Sequence, residues 1–429
     1  MKVHLYGNTL NNSYNLALFL RAKGIDAEMF LDDSSKLQQD YPWWEDAGLN
    51  EGNLPDWIHY YKVNPNFLFP QNELKRMIID FSVCDIALVC GWGPIIAQRA
   101  KVPYFFYSFG SDLVITALRE NLFEAIRKSV YFKKPRGLRS LLFFGPIQRK
   151  AICNADRIGI TMGYQVNTYV RKLGLTDKMR KVRLAWDIEK YAAKRNLFLK
   201  EKYKRFDVIY FMIARHSWRS VWNDPKGNDK FFRAYARLVK EKKPNALLVT
   251  IQKGHDVEAS MRLISELNIE SYVEWVKEMN KDGIRGYISL DNVVVVDQFW
   301  HDKWYLKYPE DKEKPRMPFG SGSIEALSAG KPLITAFSDE DFYENEFPPI
   351  LSAFTEDEIY KRLIESLEMG DSGRKELGRR GYEYVKKYNG WENTIDLYIN
   401  VLNEILDEKK NGEKPGSPLN VERTSQIPS

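Results

Sequence analysis

Short continuous apolar runs alternate along this chain with longer segments of amphipathic spacing. Residues 3–6, 27–31, 84–90, 102–107, 157–161 and 181–184 read as strands of a first half. Residues 84–90 and 102–107 are continuous apolar runs, the mark of parallel strands covered by helices. Residues 11–23 predict a helix, with Leu16, Leu18, Phe19 and Leu20 apolar and Gly24 as its stop. A charged helical stretch, 187–204, reads as a connector. A second set of strands follows at 207–214, 246–252, 272–275, 293–297 and 332–336, with helices at 229–242, 257–267 and 323–328 between them. The last helix is expected over 391–409. Residues 43–70 are rich in Trp, Asn, Pro and Tyr without a period and read as a long loop or irregular insertion.

Alternating βα units predict parallel sheets with right-handed crossovers, and ligands outside the carboxyl ends of the strands. With 429 residues the chain exceeds one ordinary core. The expected class is α/β, with two Rossmann-like domains. Residues 1–186 form the first, 187–206 connect, 207–388 form the second, and 389–410 form a helix with return to the first domain as one arrangement. Residues 411–429, with little apolar content, read as a disordered tail.

Composition narrows the function classes. Lys+Arg 64 against Asp+Glu 58 leaves +6, too small and too dispersed an excess for nucleic-acid binding as the main function. Cys84, Cys90 and Cys153 lack CxxC spacing, which argues against a disulfide framework or a zinc site and for a reducing compartment. The N-terminus has no apolar signal region, and no run approaches the roughly 18 residues of a membrane span. A cytoplasmic protein is expected.

Residues 318–335 carry the most chemistry. A loop of Gly320, Ser321, Gly322 and Ser323 leads into a short helix ending at Gly330, and a strand follows. Its glycines allow a backbone to approach a ligand, and the helix start offers N–H groups to a diphosphate. Glu325 is expected in the first turn, where the dipole favours a carboxylate that can accept from ribose hydroxyls. The alternative is a Gly-rich turn with a capping Glu.

This segment, with Phe319-Gly320, Glu325-Ala326 and Ala329-Gly330-Lys331-Pro332, resembles the donor site of retaining GT-B glycosyltransferases, most closely glycosyltransferase family 4. The likeness extends to Asp297-Gln298-Phe299, to Arg215 after a strand followed by Lys226-Gly227, to the segment 182–187 ending in Asp187, and to Gly254 after the strand 246–252. It implies the GT-B fold, with two domains facing each other across a cleft. It also implies a metal-independent, retaining transfer in which Arg215 and Lys226 neutralise the leaving diphosphate. Arg219 competes with Lys226 for that role, and Lys253 and His255 flank Gly254. His255 reads as a solvated turn residue before a catalyst. The family's second Glu, which contacts the donor sugar, is replaced here by Met317; Glu310 and Glu313 lie upstream.

On the acceptor side, Gly7 and Asn8 follow the first strand, where glycine permits close approach to the reacting groups. Asn12 is expected to cap the following helix, with a reach to the ligand as the alternative. Phe109-Gly110-Ser111-Asp112 resembles the family's Gly-Ser-Asp segment, and Asp112 either orients the acceptor hydroxyl or caps the next helix. Residues 118–150 interleave basic residues such as Lys133, Lys134 and Arg136 with aromatics. That pattern suits an anionic membrane surface or a lipid-diphosphate acceptor, and equally two packed surface helices. Asp339-Glu340-Asp341 reads as acids opening a helix, not as a metal motif. No metal and no cofactor are expected.

The implied function is transfer of a sugar from a UDP- or GDP-sugar to a glycan or lipid-linked acceptor, in the cytoplasm or on the inner membrane face. A nucleotide-sugar 2-epimerase of the same fold and a non-catalytic nucleotide- or glycan-binding protein are the alternatives.

Overall fold

The computed structural model describes residues 1–33, 35, 37–63, 71–109, 111–114, 145–161, 169–192, 196–220, 225–302 and 317–412. They divide into two compact units: Met1–Tyr41, Glu51–Leu184 and Thr394–Ser429 in the first, Pro42–Asn50 and Ala185–Asn393 in the second. The expected tail falls almost wholly outside the described residues.

The first unit is built on a seven-stranded sheet in the order β3-β2-β1-β4-β5-β6-β7. Its strands are β1 (Lys2–Tyr6), β2 (Asp26–Asp32), β3 (Ile58–Tyr61), β4 (Ile86–Val89), β5 (Tyr104–Ser108), β6 (Arg157–Ile160) and β7 (Met179–Lys181). All pairs are parallel, with Val3 opposite both Ala27 and Ile86. Val3, Leu5, Ile86, Leu88 and Phe105 are fully buried, as sheet faces covered on both sides require. The run 43–70, read as a loop, contributes the edge strand β3. Its β-branched and aromatic residues, Ile58, Tyr60 and Tyr61, suit a half-buried edge.

The helix Trp391–Lys410 is assigned to the first unit from Thr394 onward. Tyr398 packs 6.1 Å from the rings of Phe105 and Tyr107. Arg157, wholly buried on β6, donates to Glu404 at 2.8 Å and also to Glu408, and Arg180 reaches Glu404 at 2.9 Å. A buried guanidinium persists only when paired in this way.

The second unit has six parallel strands in the order β10-β9-β8-β11-β12-β13. These are β8 (Val208–Met212), β9 (Ala246–Gln252), β10 (Val273–Lys277), β11 (Val293–Val296), β12 (Leu333–Thr335) and β13 (Leu351–Ser352). The helix Asn228–Lys242 lays Phe231, Tyr235 and Leu238 on this sheet, each fully buried. Burying such side chains contributes about 1.5–3 kcal/mol apiece. Thr355 and Glu358 form a reciprocal capping box that starts the helix Glu356–Glu368. Residues 187–206, read as a connector, form the helices Ile188–Ala192 and Leu197–Tyr203 within this unit. The segment Pro42–Asn50 also belongs here, through a turn of helix, Pro42–Glu45, set against the helix Lys281–Ile288.

Candidate functional site

In the second sheet the winding reverses between β8 and β11, so a crevice opens outside the carboxyl ends of those strands. The loop after β8 carries Arg215, which is half-buried. Lys226 is held in the same place. Its backbone N–H donates to the Ser217 carbonyl at 2.5 Å, and its carbonyl accepts from Phe299 N–H at 2.8 Å. Its Nζ donates to Gln298 Oε1, just past β11, at 2.6 Å. Gly227 has φ +63°, and a Cβ there would stand 2.4 Å from the Trp300 carbonyl oxygen. The Lys-Gly pair is thus set by backbone packing as well as by chemistry. Arg219, the competitor for the Lys226 role, is committed elsewhere: its Nε donates to Asp256 Oδ1 at 2.8 Å.

The Gly-Ser loop opens the helix Ser321–Ser328, with Gly320 at its N-cap. A Cβ on Gly320 would lie 2.8 Å from Asp297 Oδ2, and one on Gly322 2.8 Å from Ile213 Cγ2. Ser323 Oγ donates to Asp297 Oδ2 at 2.6 Å. The two glycines therefore seat the loop on the ends of β8 and β11, and Ser321 begins the helix. That start puts Glu325 in the second turn, not the first, so the helix dipole supports it less than expected.

Glu325 is fully buried. Lys281 Nζ donates to its Oε1, while Oε2 is buried without a hydrogen-bond partner. Burial pushes the Glu325 carboxyl above the usual range, opposed by Lys281 and Arg285. Around it, Tyr191 Oη, Arg285 Nε and Trp186 Nε1 are also buried and unpartnered. Arg285 lies 5.0 Å over the Tyr191 ring, Tyr191 stands 6.1 Å from Trp186, and Lys281 lies 5.9 Å over Trp186. Glu45 closes the cluster, accepting from Arg285 at 2.7 Å and pairing with Lys190 at 3.1 Å. Each unsatisfied buried group costs about 1–3 kcal/mol, so their concentration marks a place where a polar ligand or water completes the bonding.

Lys281, Arg285, Tyr191 and Glu45 went unread in the sequence. They come from three separate segments, and only Lys281 and Arg285, four apart on one helix, share a local spacing. Trp186 alone of these neighbours fell in a stretch likened to the family, 182–187.

Gly254 has φ +115°, and a Cβ would meet the His216 carbonyl oxygen at 2.3 Å. Its close approach is to the chain itself. His216 is buried between Ser260 Oγ and Thr250 Oγ1, each at 2.9 Å, and burial pushes its pKa down to about 4. It is a neutral, structural side chain. His255 is exposed, and Lys253 pairs with Glu278 at 3.0 Å. Met317 is buried against Trp300 and Ala336, so an apolar contact occupies the position where the resembling family carries its sugar-contacting Glu.

In the first sheet the reversal falls between β1 and β4. Gly7 has φ +88°, and a Cβ would stand 2.3 Å from the Cys90 carbonyl oxygen, so this glycine too serves close packing of strand ends. Asn8 donates to Asn11 Oδ1 at 2.7 Å and to the Asp40 carbonyl at 2.8 Å, and accepts from Tyr14 N–H at 3.0 Å. The cap expected from Asn12 is absent: Asn12 lies inside the helix Asn12–Ala22 and donates to the Thr9 carbonyl at 2.8 Å. Asn8 takes the helix amide instead.

Asp112 is not an N-cap either. It sits inside the turn Ser111–Val114 and reaches back to Ser108 Oγ at 2.7 Å, Phe109 N–H at 3.2 Å and Gly91 N–H at 3.1 Å. Burial raises its pKa against these bonds. Beside it, Gln148 is fully buried and donates to the Gly91 carbonyl at 2.6 Å, with Oε1 unpartnered. Gln148 carries no sign of this role in the sequence, where it lies inside the basic and aromatic run 118–150.

Gly110, Glu310, Glu313, Lys133, Lys134 and Arg136 lie outside the described residues. Of 118–150, the described part opens the helix Gly145–Cys153. Asp339 precedes a single 3-10 turn, Glu340–Tyr343, without a side-chain cap bond. Among the described residues no group of three or more His, Cys, Asp or Glu could hold a metal, and no helix is long and apolar enough to cross a membrane.

No protein-family model and no curated protein matches the sequence. Solved structures do match in fold. HepE from Anabaena, solved with UDP and glucose, is 13% identical, with TM-score 0.63 over 94% of this chain and 100% of that one. Sucrose-phosphate synthase from Thermosynechococcus elongatus is 13% identical, with TM-score 0.61 over 95% of this chain and 99% of that one. A glycosyltransferase from Rickettsia africae is 12% identical, with TM-score 0.63 over 94% and 98%. This chain has the fold of these proteins, the GT-B fold.

Proposed function

We propose that this protein is a glycosyltransferase that moves a sugar from a UDP- or GDP-sugar to a glycan or lipid-linked acceptor with retention of configuration. The observation that carries the reading is Glu325: a buried carboxylate with one unpartnered oxygen, on the helix that follows a Gly-Ser turn at the switch point of the second sheet. A ribose hydroxyl is the donor such an oxygen fits. HepE, of the same fold, was solved with UDP-glucose.

The chemistry assigned to the other residues follows. The helix start at Ser321 and Gly322 presents N–H groups to the diphosphate. Arg215 and Lys226 neutralise the charge that grows on the leaving diphosphate as the bond from the anomeric carbon to its oxygen breaks. The acceptor oxygen attacks from the same face, and its proton passes to the leaving phosphate oxygen. No metal takes part in this scheme. Gly7, Asn8, Gly110 and Asp112 belong to the acceptor side, with Asp112 ordering the Gly91 turn. Residues 118–150 would dock the protein on an anionic membrane carrying the acceptor.

A thermal-shift panel of UDP-, GDP-, ADP- and dTDP-sugars tests the donor assignment, because a specific ligand stabilises by mass action. Stabilisation by a UDP- or GDP-sugar, with turnover that needs an acceptor and survives EDTA, supports the reading. Turnover without an acceptor would turn it toward epimerase chemistry. Arg215→Ala should lower kcat more than donor affinity, since the charge it meets is largest in the transition state. Sedimentation with anionic vesicles at low salt tests the membrane assignment; a protein left in the supernatant would redirect attention to a soluble acceptor.

The burial of Met317 in an apolar cluster favours one second reading, a nucleotide-sugar-binding protein without turnover. Binding in the panel with no product from any acceptor would select it.

A further inference from the structure

The cluster around Glu325 contains a residue whose role the donor-site reading leaves open. Lys281 is the first residue of the helix Lys281–Ile288, which Asn280 caps through Gly283 N–H at 3.1 Å. Its ammonium is largely buried, with 13% of the side chain exposed, and it reaches the fully buried Glu325 by Oε1 alone. Charged and titratable groups face Glu325 from three elements. The helix Lys281–Ile288 contributes Lys281 and Arg285, the turn Pro42–Glu45 contributes Glu45, and the helix Ile188–Ala192 contributes Tyr191. The helix Gly370–Asn389 meets this segment through glycines: a Cβ on Gly378 would overlap Gly330 and one on Gly381 would meet Leu327 at 2.6 Å.

Arg285 is already engaged by Glu45 at 2.7 Å and by Asp282 at 2.9 Å. Lys281 is therefore the one cation among the described residues in an ion pair with Glu325. A carboxylate stripped of water and of countercharge takes up a proton. A protonated carboxyl would turn its lone acceptor position into a donor and lose the charge that strengthens a bond from a hydroxyl.

We propose that Lys281 is a positioning residue of the donor site: it fixes Glu325 through Oε1, supplies the countercharge that burial demands, and leaves Oε2 to accept from a ribose hydroxyl. The proposal rests on the donor-site reading for the identity of the hydroxyl, and on the ion pair alone for the rest.

Two measurements on the full chain test it. In the first, UDP-glucose and GDP-mannose are titrated by calorimetry between pH 6 and 8.5 into the wild type, Lys281→Met and Lys281→Arg. Lys281→Met should bind about tenfold or more weakly at pH 6, the scale of a lost charge-assisted bond, and recover toward the wild type as pH rises. Lys281→Arg should stay within about threefold at every pH, since it keeps the charge. An affinity for Lys281→Met equal to that of the wild type across the range overturns the proposal.

The second needs no nucleotide. Burial already raises the folded-state pKa of Glu325; without its partner that value rises further, so stability is kept at low pH and lost as pH rises through it. The unfolding midpoint of Lys281→Met should fall relative to the wild type between pH 6 and 8.5, and Glu325→Gln added to it should remove the fall. A midpoint difference that does not change with pH overturns the countercharge role. A wild type that binds neither nucleotide sugar, while Lys281→Met shows the pH-dependent fall, overturns the donor-site reading and supports the ion-pair role.

Discussion

At the switch point of the first sheet Asn8 spends its side chain on the chain itself, bonding Asn11, Asp40 and Tyr14. At the switch point of the second, Glu325 is more deeply buried and keeps one oxygen unpartnered. The two crevices arise from the same topological cause, a reversal of strand order, at β1/β4 in one sheet and β8/β11 in the other. Their chemistry differs. Near the first, the described residues leave a neutral amide oxygen, Gln148 Oε1, without a partner; near the second they leave a carboxylate oxygen, a phenol, a guanidinium N–H and an indole N–H. Topology makes a crevice, but the unsatisfied buried groups decide what it holds. Several such groups together need a polar ligand or ordered water to complete their bonding.

The widest effect expected from this comparison falls on the glycines. Gly7→Ala and Gly254→Ala each put a Cβ 2.3 Å from a carbonyl oxygen at positive φ. Either change should cost about 3 kcal/mol or more in urea unfolding. Wild-type stability for either would mean that the turn opens freely, and that its glycine is there for a ligand.

Acid should separate the two units next. His216 is pushed by burial to about 4, below the usual 6.5 of a histidine. Its folded-state pKa is depressed, so its contribution is present above 6.5 and is lost as pH falls toward 4. The loss amounts to roughly 3 kcal/mol at most. His4 in the first unit is also lowered by burial, with the Phe81 carbonyl and Glu28 opposing. Replacing His216 by Gln should flatten the stability profile between pH 7 and 4 more than replacing His4 does. Equal slopes would show that the second unit is not the acid-sensitive one.

A paired substitution sharpens the contrast between the carboxylates. Glu325→Gln should weaken donor binding by about 10–100-fold, the worth of a charge-assisted bond in a buried site. Asp112→Asn should leave donor affinity unchanged and cost stability by about 1–2 kcal/mol, because its acceptors hold Ser108 and the Gly91 turn. Calorimetry with UDP-glucose and urea unfolding read the two effects separately, and the reverse pattern would exchange the roles of the two crevices.

The smallest effect is expected at Arg219. It is half-exposed and tied to Asp256, so Arg219→Ala should change stability by no more than about 1 kcal/mol and kcat little. Lys226→Ala should lower kcat strongly. A collapse of kcat in the Arg219 variant would hand the diphosphate to it.

Most strands of both sheets are legible in the sequence, because buried parallel strands must be apolar on both faces and β4, β8 and β11 are. It also marked Arg215, Lys226, Gly320 and Glu325 as candidates, each tied to a strand end or a glycine turn, whereas the turn glycine Gly254 packs against His216. It missed β3, hidden in a run without period, and the two-residue edge strand β13, and it set β7 at 181–184 where the strand is Met179–Lys181. It placed Glu325 a turn too early and gave a cap to Asn12 that Asn8 provides. Tertiary structure alone decided that Lys281, Tyr191, Arg285 and Glu45 surround Glu325. These residues lie up to 240 positions apart, as Arg285 and Glu45 do, and an ordinary charged residue carries no local sign that folding will bury it beside another. Burial is a property of the packed elements, and with it come the desolvation and the missing partners that give this cluster its chemistry.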